Sequence, residues 1–240
     1  MALTKDFRPV RKVFTNRAGG VSAAPYDSFN LGDHVGDDPA AVAANRARLA
    51  SILELPAERL VWMEQIHSNT VTVVDGPVTE PVEATDAIVT TVRELALVVL
   101  TADCVPLLLS DDQAGVIAAV HAGRMSARNG IVAKTVSAMV ELGAEPARIH
   151  ALMGAAASGK NYEVPEHMAN DVESKLPGSK VRTAKGTWGL DIRAGLIRQL
   201  LSLGVQAIDS DPRCTIDEES FFSYRREGVT GRQAGIVWLP

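Results

Sequence analysis

Three residues of the 240-residue chain could hold a metal ion between them: Cys104, His121 and His67. The segment 97–122 reads as a hairpin, with arms Val-Val-Leu-Thr-Ala-Asp-Cys-Val-Pro-Leu-Leu-Leu and Gly-Val-Ile-Ala-Ala-Val-His around a turn at Asp111-Asp112-Gln113-Ala114. A turn centred between Asp112 and Gln113 sets Cys104 opposite His121, with β-carbons about 5 Å apart, close enough to share an ion. A slip of one residue would send the two side chains to opposite faces. A thiolate and an imidazole bind zinc at roughly 2.3 and 2.0 Å, and a third protein ligand leaves the fourth position open for water or substrate. His67, within Gln65-Ile66-His67-Ser68-Asn69, supplies that third ligand from a polar turn between two strand-like runs. The three are too far apart in sequence to form a local zinc motif. The plainer alternative is that Cys104 is a small buried hydrophobe and the histidines are satisfied core or surface groups.

The other histidines and the second cysteine read as less loaded. His34 lies in a glycine-rich loop within reach of the site, whereas His150 and His167 fall in a strand and a helix with ordinary structural roles. Cys214 follows Asp211-Pro212-Arg213 in a turn and reads as structural.

The elements that must position these residues follow from periodicity. Val10–Thr15 reads as a strand, then Asn16–Gly36 is rich in Gly, Ser, Asn and Pro. A loop of that length, carrying Tyr26 and Phe29, reads as a packed, site-covering segment. Asp38-Pro39 opens a helix that runs to about Leu55. From Leu60 to Val120 the pattern turns β-branched, with strands at 71–74, 87–91, 95–101, 105–109 and 116–120 forming a central sheet. Helices are predicted over 126–142, 166–176 and 192–203, with Gly143 and Gly204 as left-handed caps. Further strands are expected at 149–153, 205–208 and 234–239.

Composition bounds the function. A 46% hydrophobic content is ample for the core of one domain. The net charge of -5 and scattered basic residues provide no stripe for a phosphate backbone, so nucleic acid is not an expected partner. No apolar run approaches the ~18 residues a membrane helix needs. The opening Met-Ala-Leu-Thr-Lys-Asp lacks a signal core, which together with two cysteines points to a reducing, cytoplasmic setting.

Gln65-Ile66-His67, then Thr101-Ala102-Asp103-Cys104-Val105-Pro106, then His121-Ala122-Gly123 closely resemble the YfiH-like family, also called the laccase-domain or purine nucleoside phosphorylase family. The resemblance extends through Thr15–Ser22, Asn30–Asp38, Phe222-Ser223-Tyr224-Arg225-Arg226 and Thr230-Gly231-Arg232. It implies an α+β fold of mixed β-sheets packed together and flanked by helices, one compact layered domain over residues 1–240. It also implies a zinc site on His67, Cys104 and His121, and phosphorolysis of adenosine, inosine or methylthioadenosine, with adenosine deamination as a companion activity. Two segments depart from the family. His-Ala-Gly-Trp-Arg-Gly becomes His121-Ala122-Gly123-Arg124-Met125-Ser126, and Gly-Pro-x-Ile becomes the run from Gly154 through Ala155-Ala156-Ala157 to Val164.

Phosphorolysis requires a held phosphate, and an arginine fork suits it; Arg225, Arg226 and Arg17 are the candidates. Each equally fits a structural ion pair. Asp103, beside Cys104, is the carboxylate nearest in sequence for shuttling a proton in deamination, or for orienting His67 or His121. The rival readings are a copper polyphenol oxidase built on the same Cys and two His, a metal-free hydrolase with Cys104 as nucleophile and His121 as base, and a metal-stabilised, non-catalytic factor in cell-wall metabolism.

Overall fold

Strands that are apolar on both faces need cover on both sides, and the chain provides it by stacking four layers. The structure is a computed structural model and describes residues 9–240; the N-terminal Met-Ala-Leu-Thr-Lys-Asp run lies outside the described residues. One sheet has the order β1 (Arg11–Phe14), β12 (Gln233–Trp238), β5 (Ala96–Thr101) and β2 (Leu60–Val61). The second runs β11 (Ala207–Ser210), β8 (His150–Met153), β6 (Val105–Asp111), β7 (Val116–Ala122), β4 (Ala87–Thr90) and β3 (Val71–Val73). Both are mixed: β2 joins β5, β3 joins β4 and β11 joins β8 in parallel, and the other pairs are antiparallel.

Side-chain alternation divides the core into three layers. Leu97 and Val99 of β5 meet Leu108 of β6 and Ile117 and Ala119 of β7 between the sheets. Ala96, Val98 and Leu100 point the other way, onto Leu49, Ala50 and Leu53 of α1 (Pro39–Leu53). On the far side, Leu107 and Leu109 of β6 and Val116, Ala118 and Val120 of β7 pack under α2 (Arg124–Arg128), α3 (Ile131–Glu141), α4 (Glu166–Lys175) and α5 (Ile192–Ser202). Each fully buried large aliphatic side chain contributes about 1.5–3 kcal/mol, so these layers carry the fold.

The α+β architecture agrees with the sequence reading, and four details differ. The expected single sheet is two: β5 leaves the first sheet at Thr101 and the chain crosses at 102–104 into β6 of the second. Asp103, at φ 92°, makes that crossing, because left-handed backbone ends a strand. The hairpin is also offset, with His121 facing Pro106 rather than Cys104. The turn closes later than expected because Gly115 takes φ 66° while Asp111 accepts hydrogen bonds from the N–H groups of Gln113 and Ala114. An offset of two residues preserves the face, so Cys104 and His121 remain diagonal neighbours. The helix expected over 126–142 breaks into α2 and α3 at Asn129-Gly130, where Gly130 has φ 82°. The paired strands β9 (Lys180–Arg182) and β10 (Trp188–Leu190) were not anticipated from periodicity.

The loop 16–36 is packed down as its aromatics suggest. Phe29 and Leu31 are buried, and Asn45 of α1 donates to the carbonyls of Ser28 and Asn30 while accepting from the N–H of Val21. No helix among the described residues is long and apolar enough to cross a membrane.

Candidate metal centre

The apolar layer between the sheets ends in polar residues, and that end is the site. Continuing the inward face of β7 from Ile117 and Ala119 gives His121; continuing that of β6 back from Leu108 through Pro106 gives Cys104. The same parity carries β4 from Ile88 back to Asp86 and β5 from Val99 on to Thr101. His67 arrives from the turn ahead of β3. One ligand atom each from His67, Cys104 and His121 lies within 4.8 Å of the others, and the two imidazoles meet edge-on with ring centres 4.7 Å apart.

A single buried carboxylate, missed from the sequence, holds two of the three. Asp86 Oδ1 stands 2.7 Å from His121 Nδ1 and accepts the N–H of His67 at 3.0 Å. Its Oδ2 accepts the N–H of Ile66, the N–H of Ser68 and the Ser68 hydroxyl. Burial raises the Asp86 carboxyl, but the bonds from His121 and Ser68 outweigh it and hold the group below its usual range. An ionised Asp86 is acceptor-only, so Nδ1 of His121 carries a proton and Nε2 is the position that a second proton or a metal ion would take. This clamp also explains why His67 sits at φ 60°, an uncommon backbone for a non-glycine residue.

The electrostatics fit a cation. Burial lowers the affinity of His121 for a proton, yet the Cys104 sulfur and Asp86 carboxylate together raise its pKa to about 9. His67 is pushed the other way, by burial and by the neighbouring His121. The nest therefore favours positive charge, whether carried by a proton on His121 or by a metal ion. Gly123 completes it: a Cβ there would stand 2.7 Å from His67 Nδ1 and 3.0 Å from Cys104 Sγ. Two imidazoles and a thiolate converging beside a glycine, whose added Cβ would press on two of them, make a donor set suited to zinc.

The three candidate ligands open onto a cavity of about 620 Å³. Its walls include Gln65, Thr101, Tyr162 and Tyr224, with His34 of the long loop also in the lining. Three guanidinium groups, Arg124, Arg225 and Arg232, line it too. Arg225 lies 5.0 Å from the Tyr162 ring centre and donates to the Glu163 carbonyl. Burial pushes the Tyr162 hydroxyl up, and the positive charges of Arg124 and Arg225 act against it. Burial lowers the Arg232 pKa, with the charges of Cys104 and Asp103 acting against it.

The remaining sequence candidates separate. Arg17 is outside this cavity, ion-paired with Glu227 at 2.7 Å and Asp27 at 3.5 Å and stacked near Phe222. Arg226 spends its guanidinium on the carbonyls of Thr215, Ile216 and Phe221. Asp103 contacts neither imidazole: Oδ1 accepts the Thr215 hydroxyl at 2.6 Å and Oδ2 the backbone N–H of Arg225 at 2.7 Å. Asp86, not Asp103, orients His121. Cys214 is buried and accepts from the Ser158 N–H.

Comparison with known proteins places this geometry in context. A sequence model of the family described as multi-copper polyphenol oxidoreductase laccase matches residues 11–240. A Corynebacterium glutamicum protein named purine nucleoside phosphorylase is 76% identical over 97% of this chain and 96% of its own length. A Mycobacterium tuberculosis protein of the same name is 56% identical over 96% of this chain and 92% of its own. Among solved structures, YlmD from Geobacillus stearothermophilus superposes with a TM-score of 0.90 at 31% identity, covering 97% of this chain and 93% of that one. Bacillus licheniformis YfiH superposes equally well, at 0.90 and 30% identity, with coverage of 96% and 93%.

Proposed function

The chain belongs to the multi-copper polyphenol oxidoreductase laccase family, and from that membership and the cavity beside His67, Cys104 and His121 we propose that it is a zinc-dependent purine nucleoside phosphorylase of the cytoplasm. The relatives that carry that name span nearly the whole chain. The observation that carries the reading is the juxtaposition, in one cavity, of the three-ligand cluster with Arg124, Arg225 and Arg232. A metal nest alone serves many reactions; beside three guanidinium groups it fits an anionic co-substrate such as phosphate.

In phosphorolysis the bond between C1′ of the sugar and the purine nitrogen breaks, the departing base keeps the electron pair and takes up a proton, and a phosphate oxygen bonds C1′. Zinc at the nest, when bound, supplies a Lewis-acid centre. Arg225 is the residue we assign to phosphate, with its main chain fixed by Asp103 and its head free of any carboxylate partner among the described residues. Asp103 therefore acts as a positioning residue, because both of its oxygens are committed to protein donors. Tyr162, flanked by Arg124 and Arg225, offers an aromatic face to a purine or sugar. Adenosine, inosine and methylthioadenosine are the substrates to test.

The copper reading shares the Cys and two His donors. Among the described residues, however, they are the one group of three or more potential ligands, and His150 is engaged elsewhere with Lys12 and Asp209. A multinuclear oxygen-reducing cluster calls for further donor groups of that kind, so among the described residues the single cluster favours the zinc reading. The deciding experiment is product analysis after incubating metal-loaded protein with adenosine, with and without phosphate. Adenine and ribose 1-phosphate appearing only with phosphate support the proposal. Inosine as the product would indicate deamination, base release without phosphate hydrolysis, and no turnover a binding protein.

A further inference from the structure

Away from the metal nest, the edges of the two sheets are joined by a relay of side chains. Lys12, on edge strand β1 of the first sheet, extends its Nζ to within 2.9 Å of His150 Nδ1 and 2.9 Å of the His150 carbonyl oxygen, on β8 of the second. The other ring nitrogen of His150 lies 2.9 Å from Asp209 Oδ2 on β11. With Asp209 accepting at Nε2, the proton of a neutral imidazole is on that nitrogen and Nδ1 is the acceptor facing Lys12. A neutral amine has two N–H bonds, and two acceptors stand ready for them. Its lone pair is then directed away from both. Lys12 and His150 line a hollow of about 530 Å³, together with Ser110, Asp112, Gln113 and Arg148.

We propose that Lys12 is a nucleophilic amine and that this hollow is a site of its N-acylation by small activated acyl donors, an acyl phosphate or an acyl thioester. The lone pair on Nζ attacks the acyl carbon, forming an N–C bond, and the bond to the phosphate oxygen or thiol sulfur breaks with its electron pair on the leaving group. The surplus proton on nitrogen passes to His150 Nδ1, whose imidazolium is paired with Asp209, and then to the departing phosphate or thiolate. The arrangement is that of a nucleophile, base and orienting carboxylate, with an amine in place of a hydroxyl. Burial favours the neutral amine and lowers the Lys12 pKa to about 8, against the opposing charges of Asp112 and Asp209. Asp111, also facing the hollow, is neutralised by Arg148 at 3.0 Å.

The test is acylation of the full, metal-loaded chain at mildly alkaline pH, with acetyl phosphate in one arm and acetyl-coenzyme A in the other, read by peptide mass spectrometry. Lys134, Lys160 and Lys185 are exposed and serve as internal references. Lys12 is expected to react about tenfold faster than they do, since a larger fraction of it is unprotonated. His150→Gln should bring its rate down to theirs. Preference in one arm identifies the donor class; preference in both shows that the amine sets the selectivity. A merely structural tie between the sheets predicts the opposite, a Lys12 slower than exposed lysines. That result in both arms, or a rate unchanged in His150→Gln, overturns the proposal, and the wild-type comparison decides it even if the variant fails to fold.

Discussion

Asp86 Oδ1 is shared between His121 Nδ1, at 2.7 Å, and the backbone N–H of His67, at 3.0 Å, so one carboxylate aims a ring and fixes a turn. Asp86→Asn keeps the size but places an amide donor among donors. We expect metal affinity, measured by competition with a chromophoric chelator, to fall about 10–100-fold. Folding stability should drop by about 1.5–3 kcal/mol from the loss of charge-assisted bonds. Unchanged affinity would remove Asp86 from the support of the site.

Cys104→Ala should empty the nest, because two imidazoles without the thiolate form an incomplete set. Elemental analysis of purified protein should find close to one zinc per wild-type chain and little in the variant. Full occupancy in Cys104→Ala would sink the three-ligand assignment. Copper retained in preference to zinc after metal-replete expression would favour the oxidase.

Gly123→Ala tests the nest by volume alone. The added methyl would press on His67 Nδ1 at 2.7 Å and Cys104 Sγ at 3.0 Å. Metal content should fall while far-ultraviolet circular dichroism stays that of the wild type, since the crowded atoms are side-chain ligands on the open side of the fold. A variant that binds metal normally would show that the ligands can part to admit a methyl group.

Arg225→Ala should weaken phosphate saturation by the equivalent of about 1.5–3 kcal/mol while leaving metal content intact. Arg17→Ala is the contrast. Its ion pairs with Glu227 and Asp27 tie the start of the chain to the C-terminal arm outside the cavity, so it should lower thermal stability and leave the phosphate KM alone. A phosphate effect at Arg17 with none at Arg225 would reverse these assignments.

Lys12 makes a pH prediction with a definite sign. Its folded pKa of about 8 is below the 10.5 of an unfolded lysine, so between those values the unfolded chain binds more protons and stability rises with pH. Below about 8 both states carry the ammonium and the burial penalty is felt in full. Lys12→Met lacks this titration. Denaturant midpoints taken across the window should show wild type gaining on Lys12→Met as pH increases, and a constant difference would contradict the shift.

Much of the candidate site was legible because its three candidate ligands are rare residue types at the ends of apolar runs, and the two-residue offset of the hairpin left Cys104 and His121 on one face. Asp86 was not, since aspartate is common on loops and nothing in Thr85-Asp86-Ala87 marks it as buried. The available signal was parity: Asp86 shares the inward face of Ile88. The division into two sheets escaped periodicity because β5 and β6 are buried on both faces and show no alternation to reveal which layer they join. The α2–α3 break, by contrast, was written in Asn129-Gly130 and hidden only by the length of the surrounding helical pattern.

The ligands also differ in when they can meet as the chain folds. Cys104 and His121 flank a single hairpin, which closes quickly because its contacts are local. His67 joins them only once its turn has docked on Asp86, which itself depends on β4 pairing with β7. A hairpin alone therefore offers an ion two donors, and the completed nest needs the longer-range contacts of β4 and Asp86 as well. An ion held by all three should accordingly slow unfolding far more than it speeds folding, making metal a determinant of the protein's lifetime rather than a nucleus for its assembly.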